Sequence, residues 1–320
     1  MSNVYRLVKP IAEDSEPRMV PTGTHPANHL GEKIGLVLLS GFLFSVAIAS
    51  VDVAATYMPP VTLSALRLAT ASAIFGGLLC FLRPQYRWSL RGVVDVVIIG
   101  VLNVGLPFLF LAMAVKYISS SLAAVLFNTM PVFTIALAHF WLADERLSLA
   151  KLAGTATAIA GATLLMISNQ SGLEMVQDQG WLGQLLIILA SLSGALAVVY
   201  TRRRVREERP FVLAAGQVFV CTLILSTLAL AVEGLPSFAS YPWQSWIAMI
   251  SATVSAPVMG FWLLFYLVKR YGASLASFSG ITTPLFSAII GILFLGEVIT
   301  TPIALGTLLL LAGVWSLDRF

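Results

Sequence analysis

An all-α membrane protein, built as ten transmembrane helices in two inverted five-helix repeats, is what this sequence predicts. Three observations predict it: the composition, the spacing of the apolar segments, and landmark residues that recur at a nearly constant offset. Of the 320 residues, 58% are hydrophobic and 11% charged, whereas soluble chains carry roughly 45–50% apolar and about 25% charged residues. A helix needs about 20 apolar residues to cross a bilayer. Ten such segments follow one another: 34–56, 60–82, 93–115, 119–142, 149–168, 181–201, 211–232, 243–268, 273–295 and 300–317. They leave little chain for a soluble domain.

The recurrence comes from paired residues. Pro60 and Pro210, and Pro107 and Pro257, are 150 apart; Pro131 and Pro284 are 153 apart; Glu145 and Glu297, and Gly154-Thr155 and Gly306-Thr307, are 152 apart. A polar tail (1–32) with Pro10, Pro17, Pro21 and Pro26 reads as disordered and cytoplasmic. Residues 33–168 form one repeat, 169–180 a non-cytoplasmic loop and 181–320 the second repeat. Five spans is an odd number, so the second repeat enters the membrane from the opposite side, as in many secondary transporters.

Charge gives the orientation. Of 19 Lys and Arg, 17 fall in the tail, in connections on one side and at Arg319. These include Arg83, Arg87, Arg91, the run Arg202–Arg209, Lys269 and Arg270. Lys116 falls on the other side, and Arg67 inside a span. Basic flanks stay cytoplasmic, which places both termini inside and reads the arginine run as a topology determinant rather than a nucleic-acid patch. Cys80 and Cys221 sit in apolar spans as small packing residues, and His25, His29 and His139 have no metal-ligand spacing. No cofactor or metal is expected.

Four prolines lie inside spans: Pro107, Pro131, Pro257 and Pro284. Each removes a backbone N–H and frees the carbonyl four residues earlier, on Asn103, Phe127, Thr253 and Gly280. Polar side chains gather near these breaks. Asn103, Asn128 and Thr129 come from the first repeat, and Thr253, Ser279, Thr282 and Thr283 from the second. As a set they are the candidate lining of a solute pathway at the repeat interface; singly, each also suits the satisfaction of freed backbone. Phe110, Phe127 and Trp262 are candidate apolar walls. Asp52, near the end of span 1, and Arg67, roughly 10 Å into span 2 at 1.5 Å per residue, are the ionisable residues well inside spans. Buried charge marks a function or a pair. The two are expected to pair, as a structural bridge, an outer gate or a proton-coupling site. Gln217 stands at the register of Arg67 in the second repeat. Glu145 and Glu297 are expected beside the positive end of the helix that follows each, with Ser148 and Thr300 as N-caps and Pro302 in the first turn.

These residues carry a resemblance. Tyr117–Met166, with its proline-centred helix, Asp144-Glu145 and the helix bearing Gly154 and Gly161, resembles an EamA-type repeat of the drug/metabolite transporter superfamily, and Tyr271–Leu317 resembles a second. Pro59-Pro60 followed by Leu63, Ala65 and Arg67 resembles that family's second span. The resemblance implies a carrier of small metabolites in a bacterial inner membrane, often an exporter of amino acids or related compounds. Where many members carry Trp-Gly and a later Lys, this chain has Phe44-Ser45 and Asp52.

The expected function is alternating-access transport of a small neutral or zwitterionic solute, with the lipid bilayer as the other partner. Import of a vitamin or nutrient, or passage through a channel, remains open. An intramembrane enzyme is disfavoured, because no nucleophile–base pair or metal cluster stands in the spans. Small-residue faces on spans 5 and 10 permit a homodimer.

Overall fold

The computed structural model describes residues 26–82, 90–141, 149–168, 171–173, 179–204, 210–271 and 273–319, and among them only helices, turns and short links occur. The first repeat holds α1 (Pro26–Ala55), α2 (Pro60–Leu82), α3 (Leu90–Gly100), α4 (Leu106–Ala114), α5 (Ser120–Phe127), α6 (Met130–Trp141) and α7 (Leu149–Ile167). The second holds α8 (Gly180–Arg204), α9 (Pro210–Val232), α10 (Trp243–Thr253), α11 (Phe261–Tyr271), α12 (Ala273–Ile290) and α13 (Thr301–Arg319). Among the described residues eight helical stretches are long and apolar enough to cross a membrane, and Ala153–Ile167 and Thr301–Ser316 are shorter apolar helices. Large apolar side chains such as Leu223, Phe294 and Leu308 cover the outside, which suits a bilayer rather than water.

Among the described residues α1 is helical from Pro26 on, so residues 26–32, expected as disordered tail, are helix. Residues 1–25 lie outside the description.

The prolines produce different local outcomes. A π-helical turn over Val101–Gly105 joins α3 to α4 just before Pro107, and another over Val254–Gly260 encloses Pro257 between α10 and α11. In both, the ladder widens where proline cannot donate. The Thr129-Met130-Pro131 segment breaks the helix outright between α5 and α6. The Thr282-Thr283-Pro284 segment does not, since α12 runs through Pro284 and loosens later, into a π turn over Gly291–Leu295. The expectation of a matching break at Pro284 is therefore corrected.

Equivalent helices of the two repeats run antiparallel. A Cβ on Gly313 would lie 2.7 Å from Gly154 O, and one on Gly161 would lie 2.7 Å from Gly306 O. As numbers rise along α7 they fall along α13. The same holds for α2 and α9: Glu233 receives the Val61 and Thr62 N–H groups, while Ser72 and Thr222 hydroxyls bond at 2.7 Å. The repeats also exchange their leading helices. α1 packs on α10 and α12 of the second repeat, and α8 packs on α4, α5 and α6 of the first. The main core lies among these, with Val51, Leu63, Ile118, Leu122 and Ile187 fully buried.

Candidate functional site

Arg67 is among the largest fully enclosed side chains in the described residues, at 2% exposure. Its Nη2 donates to Ala252 O at 3.5 Å, and its guanidinium stands 4.5 Å from the centre of the Phe108 ring. Phe108 follows Pro107 in the first repeat, and Ala252 precedes Thr253 and the π turn around Pro257 in the second. Arg67 therefore sits between the two proline-bearing spans, one from each repeat. Nε and Nη1 have no hydrogen-bond partner among the described residues.

The expected Asp52–Arg67 pair does not form. Asp52 is half-buried on α1, within electrostatic reach of Glu297 rather than of Arg67. Arg67 turns toward α4 and α10 instead, where Phe108 and Ala252 meet it.

Glu297 is 5% exposed, and its carboxylate closes the N-terminus of α5. It accepts from Ser120 N at 2.7 Å, Ser120 Oγ at 2.6 Å, Ser121 N at 3.2 Å and the Ser121 hydroxyl. Ser119, the N-cap, accepts from Leu122 N at 3.2 Å. Together these satisfy the otherwise unpaired first amides of the helix, and a carboxylate there also meets the positive end of the helix dipole. Gly296, at φ 66°, permits the turn that brings Glu297 back. Gly291 leaves the space that its carboxylate fills.

Its place in the sequence predicts Glu297 beside the next helix, α13. The structure instead gives it to α5 of the other repeat, a correction that only tertiary packing supplies. The Thr300 hydroxyl has no partner among the described residues, so its expected capping role is also corrected. Pro302 does stand in the first turn of α13. Asp144, Glu145 and Ser148 lie outside the described residues.

The polar residues near the breaks divide into two groups. Asn103 Nδ2 donates to Gln217 Oε1 at 3.1 Å, joining the repeats across α9. The others mostly serve local backbone. Asn128 donates to Ala124 O at 3.0 Å and Thr129 to Leu126 O at 2.7 Å. Thr253 donates to Met249 O at 2.8 Å, and Thr282 and Thr283 donate to Ser279 O at 3.1 and 2.8 Å. The Ser279 hydroxyl is buried without a partner, and Asn128 Oδ1 approaches Gly280 closely enough to leave no easy room for a side chain there. α5 and α12 thus cross at Asn128 and Gly280. Phe110 and Phe127 are half-buried and pack against the main core. Trp262 is 68% exposed and stacks on Tyr266, so it is no wall.

Three contributors escaped the sequence reading. Ser193 donates to Leu102 O at 2.7 Å, and Ser191 to Phe127 O at 3.4 Å, so α8 serves both interrupted spans of the first repeat. Glu233 accepts from Val61 N at 3.1 Å and Thr62 N at 2.7 Å, capping α2 from the other repeat. A glutamate just past an apolar span is the available signal for that role.

Near the opposite end, Tyr271 OH donates to Glu32 at 2.8 Å, and Arg270 lies 3.6 Å from the same carboxylate. The hydrogen bond to Glu32 raises the Tyr271 phenol above its ordinary range. Among the described residues no group of three potential ligands is placed to hold a metal. A lateral groove of about 360 Å³ lies between α1, α10 and the end of α12, lined by Val46, Val53, Trp243, Ile247 and Phe294. None of the expected pathway residues lines it.

Two oppositely running copies of one helical pattern, each interrupted by proline, match a known family. The EamA-like transporter family matches residues 32–167 and again 181–317. The chain belongs to that family. It is 26% identical over 263 residues to a protein of Bacillus subtilis strain 168 named as the uncharacterized transporter YoaV, covering 81% of this chain and 87% of that one. It is 24% identical over 295 residues to a Salmonella typhimurium protein named as a probable amino-acid metabolite efflux pump, covering 88% and 92%. A solved crystal structure superposes with a TM-score of 0.61 at 19% identity, covering 88% of this chain and 94% of that one, and so shares the fold. The EamA-like protein is thus a multi-pass membrane transporter whose partners are a small solute and lipid.

Proposed function

We propose that this EamA-like protein exports a small neutral or zwitterionic solute of the amino-acid class by alternating access. In this reading ten helices cross a bacterial inner membrane and both termini are cytoplasmic. The end bearing Arg204 and Arg270 faces the cytoplasm, and the Glu297 end faces outward.

One observation carries the reading. The antiparallel repeats meet through interrupted, polar spans, and Glu297 of the second repeat fastens to α5 of the first at the outward end. The hydrogen-bonded part of that joint, one carboxylate held by two amides and two hydroxyls, is of a kind that water can replace when the end opens. Such a joint suits a carrier that must open there. The name of the Salmonella relative supports the solute class and the direction.

The test is counterflow in proteoliposomes, with labelled neutral amino acids outside and unlabelled ones trapped inside. Saturable uptake driven by the trapped solute is expected. Flux that rises linearly without saturation, or movement of sugar phosphates with no amino acid or neutral solute, overturns the proposal.

A further inference from the structure

We propose that Arg67 anchors the carboxylate of the transported solute. This rests on the transport reading above and narrows its solute class to compounds with a single carboxylate.

A guanidinium carries five N–H donors in a planar fork. Ala252 O takes one of them, at 3.5 Å, the long limit of a hydrogen bond. Nε and Nη1 have no partner although the side chain is 98% enclosed. Whichever Nη2 hydrogen Ala252 takes, one two-pronged edge of the fork stays free, the geometry that receives a carboxylate bidentately. Phe108 lies against the cation at 4.5 Å and contributes cation–π attraction, but it carries no countercharge.

Among the described residues no carboxylate pairs with Arg67. Glu297 closes α5, Glu233 closes α2, and Asp52 is within electrostatic reach of Glu297 rather than of Arg67. A buried charge without a counter-ion is strongly unfavourable, so its retention points to an anion that comes and goes. The location agrees, because Arg67 bridges Phe108 of one repeat and Ala252 of the other, at the interface where carriers bind solute. The equivalent residue in the second repeat, Gln217, is neutral and bonded to Asn103. One cation without a twin suits a monoanionic carboxylate better than a dianionic phosphate.

The test compares Arg67→Met and Arg67→Gln with the wild-type protein in detergent, by thermal unfolding, with neutral L-amino acids and their amides as probes. Both empty variants are expected to melt no lower than wild type, because an uncompensated charge has been removed. The acids that raise the wild-type melting temperature should bind the variants about thirtyfold more weakly or worse, and the amides should not stabilise wild type. Empty variants that melt well below wild type would assign Arg67 a structural role and overturn the proposal. So would amides that stabilise wild type as well as the acids do, a comparison that needs no variant, or the lack of any stabilising acid. Failure of the transport reading looks different: acids would stabilise the purified protein while proteoliposomes showed no counterflow.

Discussion

Between α7 and α13, Gly161 of one repeat meets Gly306 of the other, and Gly313 meets Gly154, backbone against backbone. Between α5–α6 and α12, the same two repeats meet with unlike shapes. The first copy of the Thr-X-Pro segment is severed at Asn128-Thr129, and the second runs on as helix through Pro284. The first pairing is symmetric and close-packed; the second is asymmetric, and its hydroxyls and amides serve mainly their own helix backbone. Small residues let two helices lock at close range, whereas a helix interrupted by proline has more than one way to satisfy its backbone. The outer pair is therefore the frame of the molecule, and the inner pair is where the repeats adopt different shapes.

Substitutions sharpen that contrast, and their effects fall in order. Gly161→Leu would drive a side chain into Gly306 O and the Leu310 backbone, neither of which moves without parting the helices. A loss of about 3 kcal/mol or more is expected, seen as a collapse of the monodisperse peak in size-exclusion chromatography. If that variant stayed monodisperse with an unchanged melting temperature, α7–α13 would not be the frame. Glu297→Ala leaves the Ser120 and Ser121 amides and hydroxyls without their acceptor, at a cost of about 2 kcal/mol. Thermal unfolding should show the drop, and Glu297→Gln should recover part of it. Ser191→Ala removes the bond to Phe127 O and should cost about 1 kcal/mol or less. Smallest is Thr283→Val, because α12 keeps its helix without the hydroxyl bond to Ser279 O. A change of about 0.5 kcal/mol is expected there. A larger effect for Thr283→Val than for Ser191→Ala would reverse the assignment of which copy depends on side-chain support.

Much of the frame is legible in the sequence because its causes are local or periodic. Apolar length marks the helices, and the prolines mark where four spans are perturbed. The kind of perturbation is not legible. Pro107 and Pro257 produce π turns, Pro131 a break and Pro284 neither, and the difference lies in neighbours such as Ser191 and Ser193 on α8. Charges mark residues of consequence but not their partners. Asp52 and Arg67 sit on adjacent helices at similar depth, yet their faces diverge, and the aromatic ring that meets Arg67 comes from α4. Glu297 is recognisable as a capping residue, but the helix it caps is 177 residues away in the chain, and nothing in local sequence names it.

Distances between spin labels at the two ends test the central claim, that the repeats move against each other about the Glu297 joint. Exposed Lys116 and Val298 report on that end, and exposed Arg91 and Arg270 on the other. Both pairs would be placed, as cysteines, in a protein with Cys80 and Cys221 replaced. In the Glu297→Ala background the 116–298 distance should lengthen by several Å while the 91–270 distance shortens. Distances that stay as in the parent protein, or that change in the same sense at both ends, would contradict the account.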